Sequence, residues 1–204
     1  MNVRCTLLLK EWFILKRKSE TTLFIVAFFT VFAGMQGGFL YTAMCTIMLV
    51  MLTLTSFAYD QSDGWEAYVS ALPVSRKVVV QSKYLFGFLM ILISILLVMV
   101  SSLVFRGTVS FGTIQLQLFL GVLFLSLNYP LIVKFGFEKS RVWYMGITVV
   151  VVGVGSALSS VLGESSLGET PLAKLGVWVI AGILLILSYV TSMKMMERKQ
   201  FVEN

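Results

Sequence analysis

Residues 84–105 read YLFGFLMILISILLVMVSSLVF, an apolar run without a single charged side chain. About 20 residues of helix cross the hydrocarbon core of a bilayer, so this run is long enough to span a membrane. The run is continuous and does not alternate between apolar and polar positions, which favours a helix over a strand of a membrane barrel. The sequence therefore predicts a membrane-spanning α-helix here.

The rest of the chain has the same character. Hydrophobic residues make up 58% of the 204 residues and charged residues 13%, whereas globular domains are about half apolar and a quarter charged. We predict an all-α integral membrane protein, a single transmembrane domain with six spanning helices. The spans are placed at residues 21–35, 39–59, 84–105, 116–133, 142–162 and 175–193. Residues 1–20 form an N-terminal arm, residues 60–83 a loop, and residues 194–204 a tail.

The basic residues predict the orientation in the membrane. If both termini are cytoplasmic, fourteen of the sixteen Lys and Arg residues lie on the cytoplasmic side, and Arg106 and Lys174 lie outside. Such a bias is the signature of the positive-inside rule. Because the net charge of +6 is spread over segments that each flank a membrane helix, we expect membrane lipid and no nucleic acid as a partner.

Several kinds of chemistry are not expected from this chain. It contains no histidine, and Cys5 and Cys45 lie in the arm and in the second span, where they do not pair or form a metal-ligand set. The predicted spans contain no charged residue, which argues against a proton-coupled carrier. No set of catalytic residues is evident either. We therefore expect no enzyme active site, metal or cofactor on this chain.

The longest charged interruption of the apolar pattern is the loop at residues 60–83. An apolar set recurs there at spacings of three, one and three residues: Trp65, Tyr68, Val69 and Leu72. This spacing predicts one face of a short helix. Asp63 and Glu66 fall in its first turn, where the helix dipole favours negative charge, and Pro73 ends it. A helix that only rests on lipid headgroups is an alternative interpretation.

The order of residues in this loop resembles the first cytoplasmic loop of the ABC-2 family of bacterial ABC transporter permeases. Three pieces carry the resemblance: DGWE at residues 63–66, LPVSRK at residues 72–77 and SKYL at residues 82–85. More narrowly, the chain is similar to a small six-helix branch that includes exporters of amphipathic peptides such as phenol-soluble modulins. The resemblance covers nearly the whole chain, although the other spans are matched mainly by hydropathy.

The resemblance implies that the loop helix is a coupling helix, which sits in a groove on a separate cytoplasmic ABC ATPase subunit. The implied coupling residues are Asp63, Gly64, Trp65, Glu66, Tyr68, Val69, Leu72 and Pro73. It also implies two ATPase subunits and a second permease, identical or related. ATP and Mg would bind the ATPase, since this chain lacks a glycine-rich phosphate loop.

The implied function is that of the membrane subunit of an ATP-driven exporter in the bacterial plasma membrane. The resemblance implies amphipathic, antimicrobial or toxin-like peptides as the cargo. The residues alone, with few fixed polar groups in the spans, favour an amphipathic or lipid-like cargo over an ion or a sugar. The alternative is a non-transporting immunity or sensor subunit with the same fold.

The N-terminal arm and the interior of the spans allow further predictions. The N-terminal arm has an apolar arc and a charged side that includes Lys10 and Glu11. It is either an elbow helix beside the coupling helix or a simple basic membrane anchor. Within the spans, four polar residues are candidates for the substrate pathway: Thr46, Thr53, Asn128 and Tyr129. Small residues spaced by four around Gly155 predict close helix packing.

Overall fold

The computed structural model is entirely helical over the residues that it describes, which are 3–18, 20–36, 39–65, 75–105, 111–164 and 171–198. The helices are α1 (Val3–Lys18), α2 (Glu20–Gln36), α3 (Phe39–Ser62), α4 (Arg76–Phe105), α5 (Phe111–Phe135), α6 (Phe137–Glu164) and α7 (Pro171–Arg198). No strand occurs within these described ranges. The predicted all-α class is therefore confirmed.

Several of these helices have the length and composition of membrane spans. Four long apolar segments lie at Phe39–Ser62, Lys77–Phe105, Gly112–Phe135 and Trp178–Met195, and two shorter ones lie at Thr22–Gln36 and Val142–Ala157. Large apolar side chains are exposed along the outer helices, including Phe24, Leu103, Val142 and Ile186. Such a surface fits lipid and not water. The protein is a multi-pass membrane protein, while six crossings and cytoplasmic termini stay predictions.

The bundle is built around α3 and α5. α3 packs against α2, α4, α5 and α6, and α5 packs against α3, α4, α6 and α7. The side chains of Phe124, Tyr129 and Leu120 on α5 are completely buried among these neighbours. α1 lies beside the bundle against α3 and α4.

Two glycines lie at close approaches between helices. A Cβ atom at Gly155 on α6 would lie 2.8 Å from side-chain atoms of Leu120 and Phe39, so this one position packs closely as predicted. Gly153, which belongs to the same predicted set of small residues, is exposed, and a Cβ atom there would meet nothing within 4 Å. A Cβ atom at Gly34 on α2 would lie 2.7 Å from the backbone carbon of Ser101 on α4. Ser101 Oγ donates a hydrogen bond to the carbonyl of Thr30 at 2.7 Å, which reinforces this α2–α4 contact.

The structure corrects the ends of the predicted water-facing loop at residues 60–83. α3 continues through Asp60 to Ser62, and α4 begins at Arg76, directly after Ser75. Asp60 and Lys83 are only 6% and 4% exposed. The expectation that these two charges face water is wrong, because they pair with each other inside the bundle.

Candidate functional site

Four charged side chains meet where α1, α3 and α4 come together. Lys10 and Glu11 come from α1, Asp60 from α3 and Lys83 from α4. The ammonium Nζ of Lys83 lies 2.8 Å from Glu11 Oε1 and is also paired with Asp60. Lys10 pairs with Asp60 and lies 3.7 Å from Glu11. We call these four residues the ion cluster; its two ammonium groups balance its two carboxylates.

The ion cluster satisfies the hydrogen-bonding needs of its most buried cation. Lys83 Nζ donates to Ser56 Oγ at 2.6 Å and to Asp60 Oδ2, and it contacts Glu11 as well. Two of its three N–H donors therefore have hydrogen-bond acceptors, and the Glu11 carboxylate lies within ion-pair distance. Ser56 in turn donates to Glu11. Buried charges are tolerated only when they are paired and hydrogen-bonded, so this arrangement holds α1, α3 and α4 in one register.

The local sequence explains how these groups converge. Ser56 and Asp60 are four residues apart on α3 and therefore share one helix face. Glu11 shares a face of α1 with Leu8 and Leu15, which pack into the bundle. The helical wheel assigns Glu11 to the charged side of the arm, opposite the apolar arc, whereas in the structure Glu11 is buried beside Leu8 and Leu15 and is only 2% exposed.

The apolar arc predicted for α1, which comprises Leu8, Leu9, Trp12 and Leu15, is divided in the structure, because only Leu8 and Leu15 pack into the bundle. Leu9, Trp12 and Phe13 are all exposed, so α1 presents apolar side chains outward. A helix with this pattern fits the boundary between headgroups and acyl chains. The arm thus turns a carboxylate toward the bundle and aromatic rings away from it.

Lys10 connects the ion cluster to the start of the predicted coupling helix. Its ammonium group lies 3.9 Å from the centre of the Trp65 ring, within the range of a cation–π contact. Burial lowers the pKa of Lys10 from its ordinary 10.5, and the nearby Lys83 ammonium lowers this pKa further. The carboxylates of Asp60 and Glu11 oppose both effects.

The end of α3 is also tied to α6. Gln61 Oε1 accepts a hydrogen bond from the backbone N–H of Phe137 at 3.0 Å, which satisfies one of the free donors at the start of α6. The preceding Gly136 has a φ of 78°, a backbone conformation that glycine adopts without strain. Asp60 and Gln61 therefore link the last turn of α3 to three other helices.

The predicted coupling residues are described only in part. The amide of Asp63 bonds to the carbonyl of Tyr59 at 2.9 Å, and Gly64, with a φ of 66°, ends α3. Trp65 follows and contacts Lys10. The remaining members lie outside the described residues: Glu66, Tyr68, Val69, Leu72 and Pro73. The coupling role of the whole set stays a prediction.

The predicted pathway residues are all buried within the bundle. Tyr129 and Thr53 come together: the Tyr129 hydroxyl lies 3.0 Å from Thr53 Oγ1 and 3.1 Å from the Lys83 carbonyl oxygen. Thr46 instead lies 3.2 Å from Ser94 Oγ. Asn128 donates to the carbonyl of Phe124 at 2.8 Å and faces protein, as its polarity in a span predicts. Their role in transport stays a prediction.

The fold defines a multi-pass helical membrane protein, and the ion cluster lies beside the loop that follows α3. A family model described as ABC-2 family transporter protein matches residues 6–197. The chain belongs to this family, and the resemblance seen in its loop is confirmed. Membership makes it a permease component of an ABC transporter, with an ABC ATPase subunit as its partner. No curated protein and no solved structure matches the chain.

Proposed function

We propose that this protein is the permease subunit of an ATP-driven exporter whose cargo is an amphipathic or toxin-like peptide. Two permease bodies, identical or related, assemble with two ATPase subunits that bind ATP and Mg. The observation that supports this coupling best is the ion cluster, because it joins α1, α3 and α4 directly beside the start of the predicted coupling helix.

The proposed docking surface is residues 63–73. Trp65 and Tyr68 serve as its apolar anchors, since aromatic side chains dominate the binding energy of many protein interfaces. Asp63 and Glu66 form its charged rim. The acidic residues are suited to a basic edge of the ATPase groove, where they would orient the contact more than strengthen it.

Movement of the docked loop is passed to the spans through the ion cluster. Separating Lys83 from Glu11 and Asp60 would leave buried charges without partners, at a cost of about 3–5 kcal/mol for a broken buried pair. The ends of α1, α3 and α4 therefore move together and not past one another. Gln61 extends the same displacement to the start of α6.

The character of the spans supports an amphipathic cargo. Among the described residues, the buried polar groups of the spans beyond the ion cluster are hydroxyls and amides such as Thr46, Ser94, Gln117 and Asn128. Ions and sugars require fixed charged or densely polar sites. A cargo with an apolar side needs fewer such groups.

Co-purification tests the docking step. The tagged protein, expressed in its native host, should retain a subunit that mass spectrometry identifies by its glycine-rich phosphate loop. Replacing Trp65 and Tyr68 by alanine should remove that subunit, whereas Trp143→Ala, at an exposed tryptophan of α6, should not. Retained assembly together with retained cargo-stimulated ATP turnover in the double variant would contradict the assignment.

Export assays test the cargo class. Cells carrying the transporter should export several amphipathic peptides of unrelated sequence, and cells with a catalytically inactive ATPase subunit should not. Equal export in both strains, or export confined to small polar solutes, would refute the peptide assignment.

A further inference from the structure

A groove of about 260 Å³ runs between α4, α5 and α7, on a side of α4 that the ion cluster does not use. Leu85 and Phe88 of α4 form its mouth and are both exposed. Val122 and Leu125 of α5 form its floor and are buried. Its walls are almost entirely apolar, so its interior resembles hydrocarbon and not water.

One end of the groove is polar. Gln81 of α4 donates a hydrogen bond to the hydroxyl of Tyr189 on α7 at 2.8 Å, and both residues line the groove. Lys77 is exposed and lies four residues before Gln81, on the same face of α4. Toward the start of α4, the apolar lining of the groove is therefore followed by the amide of Gln81 and the hydroxyl of Tyr189, and then by the ammonium group of Lys77.

We propose that this groove binds one acyl chain of an anionic phospholipid, whose phosphate lies near Lys77. The polar end coincides with the end of α4 that carries the predicted cytoplasmic loop, so the lipid comes from the cytoplasmic leaflet. Basic pockets between membrane helices favour anionic headgroups there.

The surroundings favour lipid over other occupants. The outer face of α4 continues beyond the groove with exposed Leu92 and Leu96, so the groove opens onto the surface that acyl chains cover. Along α4, the apolar lining is followed by Gln81 and, one helical turn further, by Lys77, an order that matches a phospholipid from tail to headgroup. A second permease copy would need to cover the mouth with a helix, and a cargo peptide would need to enter from the side that faces lipid.

Photolabelling in defined vesicles tests the proposal. The purified protein is reconstituted in phosphatidylcholine vesicles that contain phosphatidylglycerol with a photoreactive acyl chain, and labelled peptides are mapped by mass spectrometry. Labels should concentrate on Phe88, Leu125 and neighbouring groove positions, and unlabelled phosphatidylglycerol should compete for them. Labelling spread over all exposed faces in proportion to their exposure would overturn the proposal.

Matched variants sharpen the test. Leu85→Trp fills the mouth of the groove and should lower groove labelling several-fold, whereas Leu92→Trp makes the same change on the same helix outside the groove and should not. Leu85→Phe is a second, smaller filling variant in case the first disturbs folding. Equal labelling in the Leu85 and Leu92 variants would refute the site.

Headgroup selectivity separates an anionic lipid from any acyl chain. Lys77→Gln should lower the preference for phosphatidylglycerol over phosphatidylcholine by about fivefold, since one cation near the membrane surface contributes about that much. Unchanged preference would remove the headgroup assignment and with it the proposal. If an added cargo peptide, or crosslinking of a second permease copy at the mouth, prevented the lipid probe from labelling the groove, the groove would be assigned to that occupant. Either result would overturn the lipid assignment.

Discussion

Lys83→Met is the most demanding test of the ion cluster, because it removes the more buried of its two cations. In the variant, Glu11 loses its nearer ammonium partner at 2.8 Å, and both carboxylates are left with Lys10 alone, which lies 3.7 Å from Glu11. Removing one member of a buried ion pair costs about 3–5 kcal/mol, since one buried negative charge is then left uncompensated. We expect the free energy of unfolding to fall by about that amount.

The double variant Glu11→Met, Lys83→Met separates the cost of an unpaired charge from the value of the pair. It removes one carboxylate and one ammonium, so Lys10 and Asp60 remain as a neutral pair. Apolar replacement of a buried pair is often neutral or even stabilising. We expect the double variant to recover most of the loss, which is a strongly non-additive result for two contacting residues.

Cys45 provides the assay. Its side chain is completely buried on α3, and in a Cys5→Ser background it is the one thiol of the chain. A fluorogenic maleimide then reports unfolding as the protein is heated in detergent. The single variant should melt about 10 °C lower, from 2–4 °C per kcal/mol for a chain of this size. Lys194→Met, at an exposed lysine of α7, is the matched control.

Two results would refute this reasoning. If Lys83→Met and Lys194→Met had the same melting temperature, the ion cluster would not contribute to folding. If the double variant were no more stable than Lys83→Met, an uncompensated Glu11 carboxylate would not be the cause of the loss.

Three further predictions follow from individual contacts. Gly155→Ala should destabilise the Cys45-monitored fold by about 1–3 kcal/mol through overpacking. Gly153→Ala, where a Cβ atom meets nothing within 4 Å, should not destabilise it, because alanine is the better helix former; equal effects of the two substitutions would contradict the packing argument. Gln61→Ala removes the acceptor for an α6 amide and should cost about 1 kcal/mol by the same assay, and an unchanged midpoint would refute that capping role. Competitive acetylation measured across pH should give Lys10 a pKa below 10.5. Asp60→Asn should lower this pKa further, because the substitution removes a carboxylate that favours the charged ammonium; a higher pKa of Lys10 in the variant would contradict this. Because its folded-state pKa is lowered, the stability that Lys10 contributes is present above pH 10.5 and is lost as the pH falls through that lowered pKa.

The sequence predicts the helical class well because hydropathy acts locally. Each long apolar run must satisfy its backbone hydrogen bonds within itself, so it becomes a helix whatever its neighbours do. The close approach at Gly155 was predictable for a similar reason, since small residues at regular spacing act on one helix face. Both predictions can be made without knowing which helices are in contact.

The ion cluster was not predictable in the same way. Glu11 and Lys83 are far apart along the chain, and a helical wheel assigns any carboxylate to the solvated side. Asp60 and Lys83 lie just beyond the apolar runs, a position that is typical of loop residues. One local signal was present: Ser56 and Asp60 are polar and four residues apart on one face of an apolar helix. That pattern indicates a polar neighbour but does not identify it.

Neighbouring residues of α4 connect the ion cluster with the apolar groove between α4, α5 and α7. Lys83 points its ammonium group to α1 and α3, while the hydroxyl of Tyr84 lies 2.7 Å from Ser188 Oγ and 2.8 Å from Ser192 Oγ on α7. The first part of α4 is therefore held from two sides, by ions on one and by hydroxyl groups on the other. A displacement of α4 at this level must strain both sets of contacts or carry α1, α3 and α7 with it. Because the ionic side is the more costly to break, the concerted movement is the one that the contacts favour.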